Sequence, residues 1–388
     1  MTTPGMPIGS PLPDPAAGQG GLDQPAVTES AAEVHVATKL EETSGPGQTE
    51  VLRVEDLTVS FPTDDGLVRA VRGVSYAVHE REVLGIVGES GSGKSVSSMA
   101  VMGLLPKSAR IAGKILYRGD DLLKKSPKQQ RALRGKKIAM IFQDPMTALN
   151  PVYSIGDQLA EAVLSHEIMP RKQALARAED MLALVGIPQP KKRLDNYPHE
   201  FSGGMRQRAM IAMAVINNPD VIIADEPTTA LDVTVQAQIL ETLVQVKDEV
   251  NAAIVLITHD LGVVAGMAHR VLVMYAGKPV EIAETDRIFY QPRMPYTAGL
   301  LGSIPALESG GSGSRLRPIV GTPPSLINLP KGCPFSPRCP LATDVCHESE
   351  PALEPTDELG HVAACHHWDQ LADVDDPTVF FRTESEAV

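Results

Sequence analysis

The sequence predicts an α/β fold: a layered parallel sheet, an antiparallel β subdomain before it, an α-helical subdomain inserted within it, and a small cysteine-rich extension at the C-terminal end. Three observations predict this. Short continuous apolar runs at residues 83–87, 221–224 and 253–257 alternate with helix-compatible segments, as strands buried on both faces do. Residues 51–60 and 68–78 instead alternate apolar with polar, the pattern of antiparallel strands with one solvated face. All four cysteines, at 333, 339, 346 and 365, fall in the last part of the chain.

Taken in order, residues 1–48 lack aromatics and are rich in Pro, Gly, Ala and Glu. They show neither a basic n-region nor a long apolar h-region, so they are read as a disordered tail and not as a signal peptide. The two alternating segments follow. The apolar run 83–87 leads into Gly88-Glu-Ser-Gly-Ser-Gly-Lys-Ser95 and then into a helix-compatible stretch over 95–105. A polar insertion spans about 124–137, a strand 137–142, and a mostly helical stretch 155–218. Strand 221–224, helix 233–250, strand 253–257 and a short helix from 260 complete the layered pattern.

The segment at 88–95 matches G-x-x-x-x-G-K-[ST] between a strand and a helix, which is the context that this motif requires. Its glycines permit a tight turn that exposes the N–H groups of Gly88, Glu89, Ser90, Gly91, Ser92 and Gly93 toward an anion at a helix N-terminus. Lys94 is placed to reach β- and γ-phosphates, and the Ser95 hydroxyl to ligate Mg²⁺. In Phe201-Ser-Gly-Gly-Met-Arg-Gln207, residues Ser202, Gly203 and Gly204 sit where a helix begins; alone, this reads as an ordinary Ser cap. Val221-Ile-Ile-Ala-Asp-Glu-Pro227 is an apolar strand ending in two acids, suited to Asp225 holding Mg²⁺ through water and Glu226 polarising an attacking water. Together the three segments predict gripping and cleavage of ATP.

In this order the motifs resemble the ATP-binding cassette (ABC) family, and further positions follow from that resemblance. It implies that Gln143 in Met140-Ile-Phe-Gln-Asp144 touches Mg²⁺ and the attacking water, and that His259 in Leu256-Ile-Thr-His-Asp260 contacts the γ-phosphate. Thr229-Ala-Leu-Asp232 resembles the D-loop, adding Asp232 to the ATP-binding set, and Phe61 resembles the adenine-stacking aromatic. The family packs two cassettes head to tail, so Ser202, Gly203 and Gly204 of one copy would cap ATP held by residues 88–95 of the other. On this reading residues 49–290 form the ATPase domain, with a helical subdomain at about 143–218 facing a membrane partner.

Residues 291–370 are read as an extension and 371–388 as an acidic tail, with 308–314 a flexible linker. Disulfides at the four cysteines would need an oxidising compartment, at odds with an ATP consumer. The gaps of five, six and eighteen residues between them fit tight zinc spacing poorly, although His347, His361, His366 and His367 are available as substitutes. Iron–sulfur ligation tolerates irregular spacing, and spacing alone leaves Zn²⁺ and iron–sulfur level. Tyr290-Gln-Pro-Arg-Met-Pro-Tyr-Thr297, Gly321-Thr-Pro-Pro-Ser-Leu326 and Gly332-Cys-Pro-Phe-Ser-Pro-Arg-Cys-Pro340 resemble the extension of oligopeptide and dipeptide ABC importer ATPases, with Met294 where many relatives have His. That resemblance implies a structural 4Fe-4S cluster on Cys333, Cys339, Cys346 and Cys365.

Composition narrows the function further. A net charge of −13 without a basic stripe argues against nucleic acid as a partner. The longest apolar candidate, residues 252–276, is interrupted by Thr258-His-Asp260 and His269-Arg270, so any pore must come from other subunits. The resemblance implies a peripheral ATPase on the cytoplasmic face of the inner membrane, paired with a second ABC ATPase subunit, two transmembrane permease subunits and an extracytoplasmic peptide-binding protein. The expected function is ATP-driven import of di- or oligopeptides in a bacterium. A nickel or other small-solute importer of the same family is the alternative, and a soluble ABC ATPase acting on nucleic acid or ribosomes a more distant one.

Overall fold

The computed structural model describes residues 49–304, 318–374 and 376–381, Ala230 excepted. The expected N-terminal tail, the 308–314 linker and the end of the acidic tail lie outside the described residues.

Two sheets organise the chain. The first contains β1 (Glu50–Thr63), β2 (Gly66–His79), β4 (Arg110–Tyr117) and β5 (Asp120–Asp121), in the order β2-β1-β4-β5 and antiparallel throughout. The second holds β3 (Val83–Val87), β6 (Ile138–Ile141), β7 (Val221–Asp225), β8 (Ala253–Thr258), β9 (Arg270–Tyr275), β10 (Lys278–Glu284), β11 (Glu354–Pro355) and β12 (Val362–Ala363), in the order β11-β12-β10-β9-β3-β8-β7-β6. From β9 to β6 the pairing is parallel, and from β9 outward through β10, β12 and β11 it is antiparallel.

Strand composition explains strand position. Every residue of β3, β7 and β8 is buried, because these central parallel strands are covered on both faces and so read as unbroken apolar runs. β1 alternates, burying Val54, Leu57 and Val59 against the central sheet. The expected strands at 51–60 and 68–78 extend further, because their ends zip together through Thr63 opposite Gly66. The segment read as a polar insertion carries a helix, Pro127–Leu133, closed by a capping box in which Ser126 and Gln129 satisfy each other's backbone.

Helices Ile155–Leu164, Arg171–Leu184 and Gly203–Val215 pack on one another over the β6–β7 side of the sheet, with Leu159, Leu182 and Ile211 fully buried. A separate core gathers at the β9–β10 end, where Tyr275, Tyr296 and Phe335 meet Cys333 and Cys346. The C-terminal part is therefore stitched into the main sheet: β12 pairs with β10, and the Leu326 carbonyl accepts from the Arg69 N–H at 3.2 Å. Among the described residues no helix is long and apolar enough to cross a membrane.

Glu82 joins the two sheets. It sits between β2 and β3, accepts from the His79 N–H and ring Nδ1, each at 2.8 Å, and from Arg270 Nε at 2.7 Å; Arg270 also donates to the Ala77 carbonyl at 2.7 Å. Burial alone would raise the Glu82 pKa, but the His79 hydrogen bond and the Arg270 charge outweigh it and hold the carboxyl at about 2, against an ordinary 4.5. A carboxylate depressed on folding stabilises the fold above its unfolded pKa, and that contribution is lost as pH falls from about 4.5 toward 2. Glu82→Gln is therefore expected to flatten the acid limb of a denaturation series over that window, by up to about 1.4 kcal/mol per pH unit. An unchanged acid limb would show that Glu82 does not couple folding to protons.

Candidate functional site

The phosphate loop is shaped by β3 and the helix Lys94–Met102. Gly88 (φ 151°) and Gly93 (φ 100°) adopt backbone conformations that L side chains rarely take. A Cβ at Gly88 would lie 2.2 Å from the Met274 carbonyl oxygen, and one at Gly93 2.3 Å from that of Ala70. Gly91 (φ 79°) faces open space. Two glycines thus admit close backbone neighbours, while the third only turns the chain.

Lys94 is buried and folds back along the loop, its Nζ donating to the carbonyls of Gly88 at 2.6 Å and Glu89 at 3.0 Å. Burial pushes its pKa down, opposed by the charges of Glu226, Asp225 and Glu89. Ser95 Oγ donates to Asp225 Oδ1 at 2.9 Å, so the loop and the acidic end of β7 touch directly. Burial pushes the Asp225 pKa up. A desolvated carboxylate beside a hydroxyl suits a cation that keeps most of its other ligands from phosphate and water, so Ser95 and Asp225 fit Mg²⁺.

Glu226 is the hub of the site. Its φ of 48° is left-handed for a non-glycine residue, and its N–H donates across to the Ile257 carbonyl of β8 at 2.8 Å, which pins the turn that leaves β7. Its Oε2 accepts from Gln143 Nε2 and from Thr229 Oγ1, both at 2.9 Å, while His259 Nδ1 lies 3.4 Å from Oε1. The structure thus gathers Gln143, Glu226 and His259, which are far apart in sequence, around one carboxylate beside Asp225. In the sequence Thr229 is part of a loop motif only, and its contact depends on a turn that no spacing rule reveals.

The other expected positions lie elsewhere. Ser202 caps its own helix, accepting from the Met205 N–H at 3.3 Å, and Asp232 caps Val233–Val250, accepting from the Val235 N–H at 3.0 Å. Ser202 and Gly203 are exposed, Gly204 is half-buried, and among the described residues none hydrogen-bonds the phosphate loop of its own chain. Behind them Gln207, buried, donates to the Pro227 carbonyl at 2.6 Å and connects this helix to the turn carrying Glu226. Phe61 is half-buried near the end of β1, packed against the core shared by the two sheets.

The cysteine expectation is corrected. Among the described residues no group of three or more His, Cys, Asp or Glu side chains is arranged to hold a metal ion, so neither the 4Fe-4S cluster nor its Zn²⁺ alternative fits Cys333, Cys339, Cys346 and Cys365. All four are free thiols packed in or against the apolar core at the β9–β10 end. Burial raises the Cys333 thiol and pushes Cys339 and Cys365 up to about 12, as desolvation among apolar neighbours does. They serve as small apolar side chains, and the segment is held by packing and by its pairing with β10.

A glycine-shaped anion cradle opening from a parallel strand, with a strand that ends in paired acids one strand further along the same sheet, defines a phosphate-loop ATPase. Residues 71–229 match the ABC transporter family and residues 280–346 match the oligopeptide/dipeptide transporter C-terminal region. The chain is 54% identical over 326 residues to the dipeptide transport ATP-binding protein DppD of Bacillus subtilis, covering 84% of this chain and 96% of that one. It is 50% identical over 317 residues to the oligopeptide transport ATP-binding protein OppD of Salmonella typhimurium, covering 81% and 93%. Among solved structures, cbiO1 from Clostridium perfringens, part of the ABC transporter complex cbiONQ, superposes with a TM-score of 0.53 at 28% identity, covering 62% of this chain and 90% of that one. The chain belongs to the ABC transporter family, among its oligopeptide and dipeptide transport ATP-binding proteins, with ATP hydrolysis as its expected activity.

Proposed function

We propose that this chain is the ATP-hydrolysing subunit of an importer for di- or oligopeptides, working with permease subunits and an extracytoplasmic peptide-binding protein. The observation that carries the reading is the Glu226 carboxylate, held by Gln143, Thr229 and His259 one residue from the Asp225–Ser95 contact. The relatives' roles in dipeptide and oligopeptide transport supply the cargo class.

The loop N–H groups and Lys94 hold the triphosphate, with Lys94 exchanging its carbonyl partners for phosphate oxygens. Ser95 and Asp225, with Gln143, would hold Mg²⁺, which would supply charge neutralisation on the phosphates. Glu226 accepts the proton of the attacking water, and Gln143 and His259 orient the carboxylate and that water. Ser202 and Gly203, exposed at a helix N-terminus that favours anions, and the half-buried Gly204 beside them present themselves to the nucleotide of a second cassette. Asp232 belongs to that shared seam, and Phe61 supports the adenine side. Residues 49–290 act as the ATPase unit, their helical part at about 143–218 meets the permeases on the cytoplasmic side of the membrane, and residues 291–370 form an extension bound to that unit.

Reconstitution of the ATPase pair with its permeases and binding protein in proteoliposomes tests the reading. ATP hydrolysis is expected to rise when a di- or oligopeptide is added, with peptide accumulating in the vesicles. Stimulation by nucleic acid or ribosomes without peptide uptake would overturn it.

A further inference from the structure

The second position of the phosphate loop is tied to a residue 249 positions away. Arg338 Nη1 donates to Glu89 Oε2 at 2.6 Å and Nη2 to Oε1 at 2.8 Å, a two-pronged pair. The guanidinium is itself held from several sides. Nη1 also reaches the Tyr275 hydroxyl at 3.2 Å, Nε donates to the Val320 carbonyl at 3.3 Å, and the group lies 5.9 Å from the ring centres of Tyr275 and Phe335. Tyr296, wedged 4.5 Å from the Tyr275 ring and 5.4 Å from that of Phe335, uses its hydroxyl to accept from the Glu89 N–H at 2.8 Å. The Arg338 side chain is 4% exposed and that of Glu89 26%.

Resting on the reading of residues 88–95 as the nucleotide loop, we propose that Arg338 is a positioning residue of the ATP site, which cancels the Glu89 charge and turns it away from the triphosphate. The carbonyls of Gly88 and Glu89 are the two that hold Lys94, so the Glu89 carboxylate hangs between the two peptides that grip the lysine meant for phosphate. An uncompensated negative charge there repels a polyanion at short range, in a partly buried setting where screening is weak. The bidentate fork removes that repulsion and fixes the direction of the side chain, while Tyr296 fixes the peptide. The C-terminal segment thereby becomes part of nucleotide binding through one ion pair and one hydroxyl.

The test is titration of the full chain with MgATP in wild type, Arg338→Met, Arg338→Lys and the double variant Arg338→Met/Glu89→Gln. Arg338→Met is expected to weaken MgATP binding about tenfold through the exposed charge, and the double variant to return to within about threefold of wild type. Arg338→Lys, which keeps the charge and carries the test if Arg338→Met fails to fold, is expected to lose less than about threefold, because the charge is still cancelled and only the two-pronged geometry is lost. Unchanged affinity in folded Arg338→Met, or a loss that Glu89→Gln does not relieve, would overturn the proposal, because a purely structural tie would not be rescued by removing the opposing charge. If Lys94→Ala binds MgATP as well as wild type, the nucleotide reading itself fails, and this proposal with it.

Discussion

Glu226→Gln in the assembled transporter is expected to lower ATP turnover about 10²–10⁴-fold while leaving MgATP affinity near that of wild type. The amide keeps the size of the carboxylate and can still accept from Gln143 or Thr229 through its carbonyl oxygen, so the turn that leaves β7 survives. It loses the capacity to take a proton from water. Because Lys94 and the loop N–H groups are untouched, the ground state binds as before and the loss falls on kcat. Single-turnover hydrolysis beside equilibrium nucleotide binding separates the two. Hydrolysis at the wild-type rate would remove Glu226 from its assigned role and leave the cluster around it without a chemical purpose.

Gly88→Ala is expected to cost about 3 kcal/mol or more, combining a disfavoured backbone conformation with a Cβ driven toward the Met274 carbonyl. For a domain of this size that corresponds to a fall in Tm of about 6–12 °C. MgATP binding is expected to be lost at the same time, since relief of the clash must move either the loop or β9, and Tyr275 at the end of β9 is part of the support beneath Glu89. Gly91→Ala is the control. Its Cβ meets open space, so only the backbone penalty of roughly 1–2 kcal/mol remains. Equal melting temperatures for the two variants would show that the close approach at Gly88 is not what shapes the loop.

The parts of the site legible in the sequence are those whose chemistry is local. A glycine-rich turn between a buried strand and a helix announces an anion cradle because strand, turn and helix dipole are consecutive along the chain. An apolar strand ending in Asp225-Glu226 is readable for the same reason. Gln143 and His259 were found only through the resemblance, since a lone glutamine or histidine at a strand end carries no pattern of its own. The cysteines show where pattern misled. Four thiols gathered in one stretch suggest ligation, yet Cys333 and Cys346 are buried in an apolar core with aromatic rings, Cys339 and Cys365 pack half-buried against it, and no metal-holding group forms among the described residues.

By itself the sequence determined the central parallel strands, the phosphate loop, the acidic end of β7, the helix that begins at Ser202 and the helix over 233–250, because each follows from neighbours within a few residues. Tertiary structure alone decided that Glu82 and Arg270 join the two sheets, that Gln143 and His259 meet at Glu226, and that Arg338 reaches Glu89. The physical reason is that periodicity and capping act along the chain, whereas desolvation and charge pairing depend on which distant groups the folded sheet brings within hydrogen-bond reach.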